Sequence, residues 1–112
     1  MIWRLADRND FHRLQQHGRR ARHGVLWMTW LSDAQATPPR VGYAVGRPVG
    51  RAVTRNLVRR RFRAIMRDLS SSGHLPGGLY LLGARPGVEE LTYPQLTAGV
   101  HQLVGAVDPS IS

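Results

Sequence analysis

The chain has no cysteine and no lysine. Without thiols it can form neither disulfides nor thiolate metal sites. Without lysine it cannot carry the Gly-x-x-x-x-Gly-Lys-Ser/Thr phosphate loop, and the glycines at 73 and 78 lack that context. No run approaches the ~18 apolar residues that a membrane-spanning helix needs. The opening MIWRLADRND has no apolar segment of signal-peptide length, so a cytoplasmic location is expected. Acidic residues are scarce: 7 against 16 basic ones, for a net charge of +9 over 112 residues. Length and a 42% hydrophobic content predict one folded domain over 1–112. The charge balance points first to nucleic acid and second to an anionic membrane surface.

All 16 basic residues are arginine. Base-composition drift in a GC-rich genome is one source of such a bias. Whatever its origin, it favours planar, bidentate phosphate contacts. Seven of the arginines fall between Arg51 and Arg67, with no acid among them. At helical spacing Arg51/Arg55, Arg55/Arg59, Arg59/Arg63 and Arg63/Arg67 are i,i+4 pairs. Each like-charged pair costs about 0.2–0.5 kcal/mol, so the four together cost about 1–2 kcal/mol. A helix shaped only for solvation alternates its charges.

The spacing predicts a helix over 51–69 with two faces. Val58, Phe62, Ile65, Met66 and Leu69 fall within an arc of roughly 100° and form the docking stripe. Asn56, Arg59, Arg60, Arg63 and Arg67 lie on an outward arc. Arg55 sits at the edge of the stripe, and Arg61 is on the opposite flank. The outer face is either a solvated surface or a phosphate-contact surface. A membrane-surface helix fits less well, because so small a domain needs the apolar face for its core.

Elsewhere, residues 7–17 read as a short helix capped by Asp7 or Asn9 and stopped by Gly18. Residues 25–31, 40–45 and 79–84 read as strands. The first of these is apolar on both faces and is expected to be covered on both sides. Thr92-Tyr93-Pro94-Gln95 fits a capping box. After it, Tyr93, Leu96, Val100, Leu103, Val104 and Val107 keep a helical period. Residues 108–112 read as a frayed tail. The fold class is α+β. Five histidines show no spacing for a general acid–base pair. Asp7, Asp10, Glu89 and Glu90 stand near helix starts, where capping explains them without a metal.

The stretch Gly50-Arg51-Ala52-Val53-Thr54-Arg55-Asn56-Leu57-Val58-Arg59-Arg60-Arg61-Phe62-Arg63 resembles the GNAVxRNRxKRxxR signature of the bacterial ribonuclease P protein subunit. RVGYAV resembles the strand RVGxxVS that precedes that signature. Arg4-Leu5, Asp10-Phe11, Gly18 and Ala84-Arg85-Pro86 extend the match in order and spacing. The resemblance implies an αβββαβα fold: three helices and a four-stranded mixed sheet, with an extra strand near 19–22 and a left-handed βαβ crossover.

The resemblance also implies a function. The chain would be the protein subunit of a ribonucleoprotein endoribonuclease that matures the 5′ end of tRNA. Its partners would be the ribonuclease P RNA and precursor tRNA, with no obligate protein partner. The RNA would carry catalysis and hold the Mg²⁺, and the protein would hold no cofactor and supply no catalytic residue. Arg51, Arg55, Asn56, Arg59, Arg60, Arg63 and Arg67 would bind RNA. Phe11 and Trp27 would line a cleft for the 5′ leader. Taken alone, Phe11 is open between core and cleft, and Trp3, Trp27 and Trp30 between core or rim and stacking. Three residues depart from the family pattern: Leu57 in the RNR signature, and Gln15 and Thr29 at cleft aromatics. The alternatives are a non-enzymatic RNA-binding module, such as a ribosome-associated protein, and a DNA-binding domain with the arginine helix in the major groove.

Overall fold

A computed structural model describes residues 2–107. The expected frayed tail at 108–112 lies outside the described residues. The elements run β1 (Trp3–Arg4), α1 (Arg8–His17), β2 (Arg19–His23), β3 (Leu26–Ser32), β4 (Arg40–Ala44), α2 (Ala52–Ser71), β5 (Gly78–Ala84) and α3 (Tyr93–Gly105). Single 3₁₀ turns at Arg47–Val49 and Val88–Glu90 precede α2 and α3. The α+β class and the three helices are as expected.

The sheet has five strands rather than four, in the order β1-β4-β5-β3-β2. The additional strand is β1. It is held parallel to β4 by Trp3 N–H donating to the Pro39 carbonyl at 2.9 Å and Leu5 N–H donating to Val41 at 3.1 Å. β2 is the strand that the family resemblance placed near 19–22. It pairs antiparallel with β3, and β3 pairs antiparallel with β5. β4 and β5 are parallel neighbours, so α2 is the crossover between them.

One face of the sheet carries the main core. Leu26, Met28, Trp30, Val41, Tyr80 and Leu82 are buried there under α2 and α3. The predicted stripe of Val58, Phe62, Ile65, Met66 and Leu69 is buried in full, none of it more than 5% exposed. Burying such a side chain contributes about 1.5–3 kcal/mol. The five together contribute roughly 8–15 kcal/mol before ordering entropy. That exceeds the ~1–2 kcal/mol of arginine repulsion several-fold, so the core decides that this segment is a helix. α3 starts with the predicted capping box, Thr92 with Gln95. Tyr93, read as part of its apolar stripe, is instead 41% exposed, because it stands in the first turn ahead of the packed residues.

The other face carries a smaller cluster of Leu5, Leu14, Ala36 and Leu79 beneath α1. Cover on this side is partial: Leu26, Met28 and Trp30 of β3 are buried, but Trp27, Thr29 and Leu31 are only partly so. α1 is capped by the Asp7 side chain, which accepts from Asn9 N–H. Gly18 ends α1 in an extended rather than left-handed conformation. A Cβ there would collide with the Leu14 carbonyl oxygen and lie 2.8 Å from Thr29 Cγ2, so the glycine supplies space. Asp10, 4% exposed, ties α1 to the sheet. It accepts from Arg40 at 2.8 Å and lies 3.7 Å from Arg13, which donates to Asp33 at 2.9 Å.

Candidate nucleic-acid interface

α2 leaves the end of β4 through the 3₁₀ turn and Gly50, whose φ of +149° favours glycine. Arg51 is the N-cap and makes no side-chain cap bond. The positive end of a 20-residue helix therefore lies beside Arg51, Arg55 and Asn56. Asn56, Arg60, Arg63 and Arg67 are exposed, as the wheel predicts, while Arg59 of the same arc is partly buried; Arg51 is exposed as well. Arg55 is partly buried, and its Nε has no partner among the described residues. Arg61 is also partly buried.

Arg59 differs from its neighbours. Its Nη2 donates to the Val45 carbonyl oxygen at 2.8 Å and its Nη1 to Asn56 Oδ1 at 3.0 Å. The guanidinium bridges α2 to the end of β4 and leaves the Asn56 amide group pointing away from this bond. The helical wheel gives the direction of this side chain but not its tie.

Tyr43 lies in the strand read over 40–45, and sequence reasoning gave it no part in the site. Its ring stacks on buried Phe62 with centroids 6.2 Å apart, and the Arg63 guanidinium lies 5.8 Å from its centroid. A continuous column thus runs from core to charged surface. Burial pushes the Tyr43 phenol up to about 12, against the opposing pull of Arg63 and Arg67. It remains a neutral hydroxyl beside two cations.

These arginines form one wall of a groove of about 820 Å³. Arg59, Arg63 and Arg67 face it from α2, Trp3 and Arg4 from β1, and Phe11 from α1. Among the described residues no carboxylate lines it. Phe11 is 40% exposed at this groove and is not a core residue. Trp27 lies in an adjoining depression of about 570 Å³ that shares Tyr43 and Arg59 and adds Arg85. Its indole rests on Gly83, where any Cβ would collide with the ring. Arg20 lies over the same indole, 4.6 Å from its centroid. The two residues expected to line one cleft thus sit in two adjoining hollows, Phe11 in the first and Trp27 in the second.

Of the departures from the signature, Leu57 is 37% exposed and Gln15 is exposed. Thr29 packs against Gly18. Among the described residues no three His, Asp or Glu side chains gather as a metal site. No helix among them is long and apolar enough to cross a membrane.

The family profile for ribonuclease P matches residues 2–108. The ribonuclease P protein component of Thermobifida fusca is 36% identical over 112 residues, spanning 93% of this chain and 75% of that protein. That of Streptomyces avermitilis is 36% identical, spanning 91% and 92%. Among solved structures, the ribonuclease P protein of Staphylococcus aureus superposes with a TM-score of 0.82 at 19% identity, over 95% of each chain. That of Thermotoga maritima gives 0.79 at 22% identity, over 94% of this chain and 97% of the other. An arginine-faced crossover helix on a mixed sheet, with a family match over nearly its whole length, shows that this chain belongs to the ribonuclease P protein family.

Proposed function

We propose that the chain binds the ribonuclease P RNA through the outer face of α2, and precursor tRNA through the groove beside it. The observation that carries this is the continuity of the two surfaces. Arg63 and Arg67 belong both to the exposed arginine row and to the wall of the groove that holds Phe11. One set of cations can thus neutralise backbone on both sides of a junction between two RNAs.

The residues divide by role. Arg51, Arg60, Arg63 and Arg67 are exposed and offer forked donors to phosphate. Asn56 and Arg59 are held by each other and by Val45, so they meet the RNA in a set geometry. Arg55 lies at the positive end of α2, where its partnerless Nε can donate to an anion. Phe11 offers an open ring face to an unstacked leader base, and Trp27 lines the neighbouring hollow. Arginine does not ligate metal, Asp7 caps α1, and Asp10 and Asp33 are engaged by Arg40 and Arg13. Mg²⁺ and the hydrolytic step are accordingly assigned to the RNA subunit. The protein contributes binding and orientation. The cytoplasm is the proposed site of action, and the βαβ crossover through α2 is proposed to be left-handed.

Adding the protein to a bacterial ribonuclease P RNA at low magnesium should raise precursor tRNA cleavage. Absence of stimulation across a magnesium titration would sink this function and favour a non-enzymatic RNA-binding role.

A further inference from the structure

The three tryptophans stand in three different situations. Trp30 is 7% exposed and belongs to the core. Trp27 lies on Gly83 with Arg20 over its ring. Trp3 is 51% exposed. Among the described residues the aromatic rings that carry an arginine are Trp27 and Tyr43. No arginine lies over the Trp3 ring.

A single exposed apolar residue is ordinary on a protein surface, and exposure alone would mean little here. Two further observations give it weight. First, the backbone under Trp3 is fixed: its own N–H is bonded to Pro39, and its register places it opposite Arg40 on β4. The indole is therefore presented from a sheet rather than from a loose end. Second, Trp3 lines the groove that also holds Phe11, Arg63 and Arg67 and has no acidic wall. A ligand suited to that groove combines dense negative charge with flat apolar faces. Single-stranded RNA has both, whereas a duplex keeps its base faces stacked away.

We infer that Trp3 is a stacking platform for an unstacked base of a single-stranded RNA segment whose phosphates run along Arg63 and Arg67. This rests on the RNA-binding reading above and adds a residue to it.

The test uses the full-length chain in two arms. In the first, holoenzyme reconstituted with wild type, Trp3→Ala or Trp3→Phe binds precursor tRNA with either a long leader or none. Trp3→Ala should weaken long-leader binding by roughly 5- to 150-fold without a matching loss on the leaderless RNA, and Trp3→Phe should recover most of it. An equal loss on both RNAs, or no loss, overturns the inference. In the second, the protein alone binds a short single-stranded RNA. Trp3→Ala should lower that affinity and Trp3→Phe restore it; unchanged affinity overturns the inference. Failure of the wild-type protein to stimulate the RNA subunit would instead count against the proposed function, while the second arm would still judge Trp3.

Discussion

The Arg59 guanidinium on α2 is bonded to the Val45 carbonyl oxygen at the end of β4, 2.8 Å away. The bond spans the turn that carries the chain into α2, so one cation of the arginine row also holds the row in place. Arg59→Ala should cost about 1–2 kcal/mol of stability, the lower part of the range for a charged hydrogen bond because the group is partly exposed. Arg63→Ala loses only a surface cation–π contact, about 0.5–1 kcal/mol. Urea denaturation should rank them so, while both weaken RNA binding. A ranking in which Arg63→Ala is the more destabilising would show that the Val45 bond contributes little.

The exposed row predicts a salt response. Each phosphate contact removed should reduce the slope of log affinity against log salt by about 0.7–0.9. Neutralising Arg60, Arg63 and Arg67 in turn should flatten the slope stepwise. Arg61→Ala, on the other flank, should change it little. Equal flattening by Arg61→Ala would mean that total charge, not the face, sets affinity.

Asp10 holds α1 through Arg40 and Arg13. Asp10→Asn leaves Arg40 without its counter-charge in a largely buried setting. Allowing for the partial exposure of Arg40, a loss of about 2–4 kcal/mol is expected. Since α1 carries Phe11, the midpoint of thermal unfolding and single-stranded RNA affinity should fall together. A variant of native stability would show that apolar packing alone seats α1.

The missing lysines clear a window in the alkaline titration. Cysteine is absent too, so between pH 10 and 12 the side chains left to lose protons are tyrosines. Burial pushes the Tyr43 phenol from 10.0 up to about 12 and raises the Tyr80 phenol as well. Both groups hold their protons longer when folded. Their contribution is therefore complete below pH 10 and is lost as pH rises through 10 towards 12. Denaturation at stepped pH should show that fall, and Tyr80→Phe should make it shallower. A flat profile to pH 12 would contradict this assignment.

The helices were legible because their signals are local. The spacing of Val58, Phe62, Ile65, Met66 and Leu69 specifies a buried stripe, and Thr92 with Gln95 specifies a start. β1 carries no such signal, since Trp3-Arg4 has no alternation and becomes a strand only because β4 offers an edge. β2 reads RRARH and turns a single small apolar residue, Ala21, toward the core. The outer face of α2 was visible as a direction. What it reaches was not: the Arg59 tie to Val45 and the Tyr43 column under Arg63 depend on contacts between elements brought together by folding. That the cleft expected for Phe11 and Trp27 is made of two adjoining hollows was hidden for the same reason.

Gly83 has no side chain, yet it decides where Trp27 can lie. A methyl group there would evict the indole from its seat, and Arg20 would lose the surface beneath it. Under the proposed function, a substitution at this position would alter RNA binding as well as stability.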